Sequence, residues 1–383
     1  MKWRNKGHEF DNIGEILKKI DNIYIYIYGA GKYGEQLGRL FQGVGASYTY
    51  IDRNQKKAWN GKAPIQPTEI NLKKILDENA IIILALGVNN SGTVLKELEL
   101  QGFSRKENIY FYAEWISYYI YIYAAYKLDK IILPQCGAMA VYNCTLRCKN
   151  CMGAFPYFRE KKNVPWEIVK RDIDACFFKI DYVENWGIGC GECFLYENLN
   201  DYIIYCMDNY RTHFGRLVLD TNGTVIPKGD VLETIRRYGC YLSISNYSTI
   251  PGWQKRVEEL ERKLKEYEIP YLFVNYDYWI DMGWREKKIH DKALTYEKFN
   301  ACSVPCRIVQ NGHLNYCIHA MTANQALFHE DVEEDTLDLM RCDKRHLLEF
   351  NLGFNENGAL KTCAHCNGFG NINSKKISVA EQL

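Results

Sequence analysis

The chain has 383 residues, enough for two or three domains with cores of their own. Its 48 Lys and Arg balance 47 Asp and Glu, so charge gives no reason to expect nucleic acid or an acidic membrane surface as a partner. The 15 cysteines are odd in number and tightly clustered, which argues against a secreted disulfide framework. The most apolar window, 115–126, is too short to span a bilayer, and the first residues lack the apolar stretch of a signal peptide. We therefore expect a reduced, cytoplasmic location and no membrane span.

Helices and short strands alternate through the first third of the chain, as an α/β unit requires. The predicted elements are a helix at 11–20, a strand at 23–28, a helix at 35–41 and strands at 48–51, 81–87 and 108–112. We expect a Rossmann-like parallel sheet in a domain over residues 1–125. An aromatic segment at 116–133, either strand or helix, leads to the next unit.

Gly29, Gly31 and Gly34 form a G-x-G-x-x-G between a strand and a helix, the setting in which this motif binds a dinucleotide. Asp52 ends the second strand 18 residues after Gly34, where an acid would hold a ribose hydroxyl. This unit could bind a nucleotide or nucleotide-sugar, or it could be a docking module that has kept the fold without the ligand. The stretches IYGAGKYGEQLGRLF and YTYIDRN resemble the N-terminal domain of sugar acyltransferases and other carbohydrate-pathway proteins, some of which bind nucleotide-sugars.

Short strand–helix steps continue over residues 130–298 and predict a parallel sheet that closes into a partial (β/α)6 barrel. The predicted helices are 164–180, 197–208, 231–239 and 252–269, and the predicted strands are 216–224, 241–248 and the start of 271–284. Active sites on such barrels lie at the carboxyl ends of the strands. Candidate pocket-lining residues in the last of these segments are Asp277, Tyr278, Trp279, Asp281 and Trp284.

Cys144, Cys148 and Cys151 are spaced C-x3-C-x2-C between two of these predicted elements. Three such thiolates can hold three corners of a cubane iron–sulfur cluster and leave one iron open. Zinc sites more often show paired C-x2-C units or a Cys/His mixture. A structural zinc loop or three buried thiols are the alternatives.

Residues 142–158 (YNCTLRCKNCMGAFPYF) resemble the cluster loop of the radical S-adenosylmethionine (radical SAM) superfamily, apart from Asn150, where the family usually has an aromatic residue. The resemblance implies a [4Fe-4S] cluster held by Cys144, Cys148 and Cys151. In that family the open iron chelates the amino and carboxyl groups of SAM.

Two further stretches resemble parts of the same family that surround SAM. Cys190-Gly191-Glu192-Cys193 resembles its Gly-Gly-Glu motif, although Cys190 replaces the first Gly, and this implies that Gly191 and Glu192 hold the SAM amino group. The strand ending in Thr-Asn-Gly-Thr implies that Asn222 lies near the SAM ribose, and Ser245 at the end of the next strand could also face SAM. We expect Cys190 and Cys193 to be small packing residues and not metal ligands.

The C-terminal cysteines include Cys306, a Gly312-x4-Cys317 and a Cys363-x2-Cys366. Four such thiols can complete a zinc site as well as an iron–sulfur site. The pattern resembles the twitch domain, the short form of the SPASM domain, and implies an auxiliary [4Fe-4S] cluster on these four cysteines within residues 299–383. Two spare thiols could replace Cys306, and three nearby histidines are expected at the surface; these residues are Cys302, Cys342, His313, His319 and His365.

Together these resemblances imply an enzyme that cleaves SAM to a 5′-deoxyadenosyl radical, which takes hydrogen from a small-molecule substrate. The similar group of radical SAM proteins is associated with surface-polysaccharide pathways, which suggests a sugar or nucleotide-linked sugar. The family also implies an external one-electron reductant such as flavodoxin or ferredoxin. A peptide-modifying maturase and a non-catalytic zinc or iron–sulfur binding protein with a nucleotide-binding domain are the alternative functions.

Overall fold

We describe the protein from a computed structural model, which covers residues 13–20, 23–56, 58–105, 107–304, 306–353, 358–369 and 374–383. Contacts between residues divide this part of the chain into two compact units, with the division between Ile132 and Leu133. No helix within these ranges is both long and apolar enough to cross a bilayer.

The N-terminal unit is built on a four-stranded sheet in the order β2–β1–β3–β4, and all its strand pairs are parallel. Its elements are α1 (Ile13–Lys19), β1 (Tyr24–Tyr28), α2 (Lys32–Gly43), β2 (Thr49–Ile51), α3 (Glu69–Asp77), β3 (Ala80–Leu84), α4 (Val88–Leu100), β4 (Ile109–Phe111), α5 (Tyr112–Glu114) and α6 (Ile120–Lys127). Every residue of β3 is buried, as expected where helices cover both faces of a parallel sheet.

The aromatic segment after β4 is helical, with a π-helical turn over Trp115–Tyr119 that runs into α6. Trp115 is completely buried, and its ring lies 5.6 Å from that of Phe41 in α2. Aromatic packing therefore holds this segment within the N-terminal unit. The sequence left open whether the segment is a strand or a helix, and the structure shows a helix.

The second unit contains an eight-stranded sheet in the order β13–β12–β11–β5–β6–β7–β8–β9. Its elements are β5 (Ile132–Val141), α7 (Trp166–Lys179), β6 (Tyr182–Cys190), α8 (Leu199–Tyr210), β7 (Phe214–Thr221), α9 (Gly229–Tyr238), β8 (Tyr241–Ser245), α10 (Trp253–Glu266), β9 (Tyr271–Val274), β10 (Trp279–Ile280), α11 (Lys292–Ala301), β11 (Ile308–Gln310), β12 (His313–Asn315), α12 (Ile318–Ala323), β13 (Thr336–Asp338), α13 (Lys344–Asn351) and β14 (Lys376–Ile377). The pairs β6–β7, β7–β8 and β8–β9 are parallel, with a helix between successive strands. The predicted α/β class is confirmed.

The C-terminal segment extends the same sheet. β11 pairs parallel to β5, and β11, β12 and β13 form an antiparallel meander at that edge. The short strand β10 pairs with β14 instead of joining the large sheet. Residues from 306 onward therefore lie in the same compact unit as the parallel strands, which brings the C-terminal cysteines to the sheet that carries the first cysteine motif.

Candidate active site

The three-cysteine loop, residues 142–154, begins directly after β5, at the carboxyl end of that strand. Tight backbone turns hold it, with the Cys151 amide donating to the Cys148 carbonyl at 3.1 Å and the Ala154 amide to the Cys151 carbonyl at 3.0 Å. Cys148 is only 6% exposed, and the other two cysteines are partly buried.

Burial disfavours the charged form of all three thiols. It raises the pKa of Cys144 to about 11 and that of Cys148 to about 12, and it also raises the pKa of Cys151. The thiols also lie within electrostatic range of one another, which adds to the rise at Cys144 and Cys148. Three soft donors grouped in this way suit a metal centre, because a bound metal replaces their protons.

Asn222 lies where the loop meets the end of β7. Its amide nitrogen donates to the Cys144 sulfur at 3.4 Å and to Thr145 Oγ1 at 3.1 Å. Its backbone carbonyl accepts from the Trp253 indole at 2.7 Å, and the side chain is 7% exposed. Asn222 therefore holds the first cysteine in place, in addition to any contact with SAM.

Gly191 lies against the same loop. Its amide donates to the Val141 carbonyl at 3.0 Å, and a Cβ at this position would lie 2.4 Å from the Asn143 carbonyl oxygen and 3.0 Å from Cys144 Cβ. The loop backbone therefore lies too close to the end of β6 for a side chain at position 191. Close packing explains the glycine at this position of the motif, independently of SAM.

Glu192 is completely buried, and both of its carboxylate oxygens have protein partners. Thr221 Oγ1 donates to Oε1 at 2.7 Å and the Asn222 amide donates to Oε2 at 2.8 Å. The Phe194 amide adds a 3.2 Å bond to Oε1. In this structure Glu192 ties the end of β6 to the end of β7, and its predicted contact with the SAM amino group remains a prediction.

A cavity of about 620 Å³ opens beside the loop, and five of its eleven lining residues are aromatic. Its lining includes Cys151, Met152, Tyr247, Tyr276, Tyr278 and Trp279. Ser245, at the end of β8, lies close to two of these, Tyr247 and Tyr276. The cavity meets the expectation of a pocket at the carboxyl ends of the strands, and its aromatic walls suit a ligand with flat or apolar faces.

Of the candidate pocket-lining residues predicted from the sequence, two line the cavity, and Trp284 and Asp281 do not. Tyr278 and Trp279 line the cavity. Trp284 is 4% exposed, and its indole donates to the carbonyl of Met152 at 2.9 Å. It therefore stabilises a residue of the cavity wall without lining the cavity itself. Asp281 pairs with Lys375 at 3.1 Å.

Asp220, which sequence reasoning passed over, is exposed although β7 lies in the middle of the sheet. Its neighbours Leu219 and Thr221 are buried on the opposite face, so its side chain projects from the other face of the sheet. Desolvation by the surrounding protein raises the pKa of the Asp220 carboxyl, and its register partner Ser243 partly offsets that rise.

Asp220 has thiols among its electrostatic neighbours. It is within electrostatic range of Cys190 and of Cys306, and Cys190 is also within range of Cys144. Tyr276, on the cavity wall, is another neighbour. The sequence signal that could have identified Asp220 is an acidic residue one position before the end of a strand. Functional side chains of such a sheet lie at the carboxyl ends of its strands.

The C-terminal thiols also come together, although they derive from separate segments. We call Cys302, Cys306, Cys317, Cys363 and Cys366 the second thiol group. Burial raises the pKa of Cys306 and of Cys366 to about 12 and that of Cys317 to about 11. Cys317 lies within electrostatic range of the other four thiols.

The spare thiols behave differently from each other. Cys302 lies within range of Cys317, Cys363 and Cys366, whereas Cys342 donates to the Leu339 carbonyl at 3.6 Å and has none of these thiols among its charged neighbours. In the described ranges no group of three or more His, Cys, Asp and Glu side chains converges closely enough to hold a single metal ion. Around Cys317, four other thiols lie within electrostatic range.

Two of the nearby histidines are not simple surface residues. His365 is 6% exposed, stacks on Phe328 with ring centroids 4.1 Å apart, and its Nε2 lies 3.0 Å from Glu330, so its expected surface position is wrong. His319 has a buried Nδ1 with no hydrogen-bond partner, and desolvation lowers its pKa to about 4. An unpaired polar atom two residues from Cys317 is consistent with a ligand that belongs beside it.

In the N-terminal unit, the glycine motif has the geometry of a Rossmann turn. Gly29 has a φ of 109°, and a Cβ on Gly34 would lie 1.9 Å from the Gly29 carbonyl oxygen, so α2 packs directly on the turn. Gly31 has open space around it. Asp52 accepts from the Ala30 amide at 2.8 Å and from the Asn54 amide at 2.8 Å, so both of its oxygens bond to the protein backbone here.

Comparisons with known proteins give matches among solved structures alone, since no family model and no curated protein matches this chain. BtrN in complex with AdoMet and 2-DOIA is 15% identical with a TM-score of 0.42, over 66% of this chain and 98% of that chain. The enzyme anSMEcpe with bound AdoMet is 11% identical with a TM-score of 0.38, over 59% and 82% of the two chains. SuiB of Streptococcus suis bound to S-adenosylmethionine is 12% identical with a TM-score of 0.31, over 68% and 76%.

These neighbours are radical SAM enzymes, the family that the cysteine motif resembles. Their identities reach 15% and their TM-scores 0.42 at most. What this chain does therefore has to be argued from its own residues.

Proposed function

We propose that this protein is a radical SAM enzyme that oxidises or rearranges a small polar substrate, a sugar or a nucleotide-linked sugar, with the help of an auxiliary iron–sulfur cluster. The observation that carries the proposal is the three-cysteine loop at the carboxyl end of β5, with an aromatic cavity beside it. Three clustered thiols leave one corner of a cubane without a protein ligand, and the adjacent cavity offers room for that ligand and for substrate.

Cys144, Cys148 and Cys151 would hold the cluster, with Asn222 fixing the first of them. When bound, the reduced cluster would cleave SAM to a 5′-deoxyadenosyl radical, which takes a hydrogen atom from the substrate. The chain's own contribution is to position the reactants and to keep water away from them. The aromatic walls of Tyr247 and Tyr276 suit that role because they flank the loop.

Asp220 is the group that we assign to the substrate. An exposed carboxylate beside the register partner Ser243 can accept hydrogen bonds from substrate hydroxyls, as sugar recognition requires. Its nearness to Tyr276, a residue of the cavity wall, supports a role in binding substrate there. The proposed sugar class rests on this carboxylate and on the aromatic walls.

The second thiol group would hold the auxiliary [4Fe-4S] cluster. Cys317, Cys363 and Cys366 supply three ligands, and the fourth is either the predicted Cys306 or Cys302. The donor set fits because all are buried or partly buried thiols around one member, Cys317, with an unpaired histidine nitrogen nearby. Reduction would need an external one-electron donor such as flavodoxin or ferredoxin.

A nucleotide or nucleotide-sugar at Gly29, Gly31, Gly34 and Asp52 is part of the proposal for the N-terminal unit. The open space at Gly31 supports it, because a ligand could approach the backbone there. The Gly29 and Ala30 amides already donate to the Ile51 carbonyl and to Asp52. A ribose contact would require Asp52 to exchange a backbone partner for the ligand.

The test is anaerobic reconstitution with iron and sulfide, followed by reduction and addition of SAM, with 5′-deoxyadenosine and the cluster's electron paramagnetic resonance (EPR) signal as readouts. Wild type should show a [4Fe-4S] signal that changes with SAM. The triple variant Cys144→Ala, Cys148→Ala, Cys151→Ala should lose that response and form no 5′-deoxyadenosine. The matched control Cys342→Ala removes a buried thiol outside both groups and should behave as wild type. A wild type with zinc in place of iron, or an unchanged SAM response in the triple variant, would overturn the proposal.

Asp220→Asn tests the substrate assignment in the same preparation. Iron content and the SAM-dependent EPR change should match wild type, because Asp220 is no ligand. Stimulation of 5′-deoxyadenosine formation by sugars or nucleotide-sugars should fall by about tenfold or more, the usual cost of losing a hydrogen bond to a charged group. Equal stimulation in both proteins would remove Asp220 from the substrate site.

A further inference from the structure

Residues Val379–Leu383 run alongside the three-cysteine loop and pair with its backbone. The Lys149 amide donates to the Glu381 carbonyl at 2.7 Å, and the Leu383 amide donates to the Arg147 carbonyl at 2.8 Å. Cys148 and Gln382 are partners in this antiparallel bridge. A segment more than two hundred residues away in sequence thus forms part of the loop's own hydrogen-bonding pattern.

The Gln382 side chain reaches the sulfur of Cys148. Its Nε2 lies 3.3 Å from Cys148 Sγ and donates to the Ala380 carbonyl at 2.6 Å, while its Oε1 accepts from the Arg147 amide at 2.9 Å. The orientation of the amide follows from these partners. Since a backbone N–H can only donate, the oxygen must face Arg147, and the NH2 group must face the sulfur.

The turn that delivers Gln382 is unusual. Ala380 has a φ of 51°, in the left-handed region that L-residues with a Cβ rarely occupy, and it is 1% exposed. Thr249 Oγ1 donates to the Val379 carbonyl at 3.3 Å on the other side of the turn. Surrounding contacts therefore hold this segment in a conformation that the backbone alone disfavours.

We propose that Gln382 is a positioning residue for the cluster, which donates a hydrogen bond to the Cys148 thiolate and fixes the middle of the three-cysteine loop. The inference rests on the proposed function, because it assigns Gln382 a role toward the cluster that the loop would bind. It concerns this chain's own side chain and not the chemistry of SAM.

The electrostatic consequence has a definite sign. Reduction adds negative charge to a cluster and its thiolates, so an N–H donor to a ligand sulfur stabilises the reduced form more than the oxidised form. Gln382 should therefore raise the reduction potential of the SAM-binding cluster. A purely structural segment would affect how much cluster is retained, but it would not shift the potential of the cluster that remains.

The test compares Gln382→Leu with wild type in reconstituted full-length protein, using EPR-monitored redox titration. Leu has a similar volume and no donor, so the equilibrium constant for reduction should fall by about three- to tenfold, where tenfold corresponds to about 59 mV for one electron. Gln382→Glu replaces the donor with a carboxylate and should lower the potential at least as far. Glu381→Gln is the matched control, because it removes only the 2.9 Å ion pair with Lys149 and should leave the potential unchanged.

Hydrogen–deuterium exchange on the metal-free protein gives a readout that needs no cluster. A chain that ends at Ser378 should exchange the Lys149 amide faster than wild type, since that amide loses its acceptor.

If wild type binds no SAM-responsive cluster, the proposed function fails. If wild type binds it and the Gln382→Leu potential equals that of wild type, the positioning role alone fails.

Discussion

The two groups of cysteines in this protein are brought together in different ways. The three-cysteine loop is continuous in sequence and follows one strand, with contacts from Asn222 and Gln382 on its first two thiols. The second thiol group is assembled from three separate segments around Cys317, and it has one thiol more than a four-ligand site needs. A continuous loop can be recognised from spacing, whereas an assembled site is defined by the fold that gathers it.

The largest effect is expected when a ligand of the second thiol group is removed and the three-cysteine loop is left intact. Cys317→Ala removes the thiol that neighbours all the others of its group, so iron content should fall by about four atoms per chain. The SAM-dependent EPR change should remain, because the loop's ligands are untouched. Metal analysis and EPR on the same sample check this, and a simultaneous loss of both signals would show that the two sites are not independent.

The fourth ligand of the second group can be settled with paired variants. Cys302 lies near Cys317, Cys363 and Cys366, while Cys306 has only Cys317 of these among its charged neighbours and also faces Asp220. We expect Cys302→Ser to lose about four iron atoms and Cys306→Ser to retain them. Iron analysis of both variants decides it, and the opposite pattern would restore the sequence prediction of Cys306.

A smaller effect should follow from crowding the loop without touching a ligand. Gly191→Ala places a methyl group 2.4 Å from the Asn143 carbonyl oxygen, so unfolding free energy of the metal-free protein should fall by about 1–3 kcal/mol.

Gly187→Ala, on the same strand, is the matched control for that crowding. Its Cβ would lie 3.6 Å from the Val218 carbonyl oxygen, an ordinary contact, so stability should change little. Urea unfolding measures both, and equal stabilities would mean that the loop moves away from β6 at no cost.

The smallest expected effect concerns the exposed ion pair beside the loop. Lys149 and Glu381 are 34% and 47% exposed, so Glu381→Gln should cost about 0.5 kcal/mol or less. The difference from wild type should shrink further in high salt, as screening requires. A loss above about 1 kcal/mol would mean that this pair, and not the backbone ladder, holds the segment to the loop.

Much of the fold could be read from the sequence. Alternating strands and helices predicted both α/β sheets, and most predicted elements agree with the observed ones to within a few residues, as for α7 and α10. These are long elements with clear periodicity, where local pattern and tertiary packing point the same way. The linking segment after β4 stayed ambiguous because alternating Ile and Tyr suits either a strand or a buried helix, and packing against Phe41 decides between them.

By itself, the sequence determined the contiguous features of this protein. These are the spacing of Cys144, Cys148 and Cys151, the glycine turn at Gly29 and the order of strands and helices, all of which depend on neighbours within a few positions. Only the tertiary structure decided that Glu192 is buried between two strand ends, that Asp220 faces open space, that Cys302 joins the C-terminal thiols, and that Gln382 reaches Cys148. Burial and hydrogen bonding between distant segments are set by how the sheet brings strand ends together, and no local pattern carries that information.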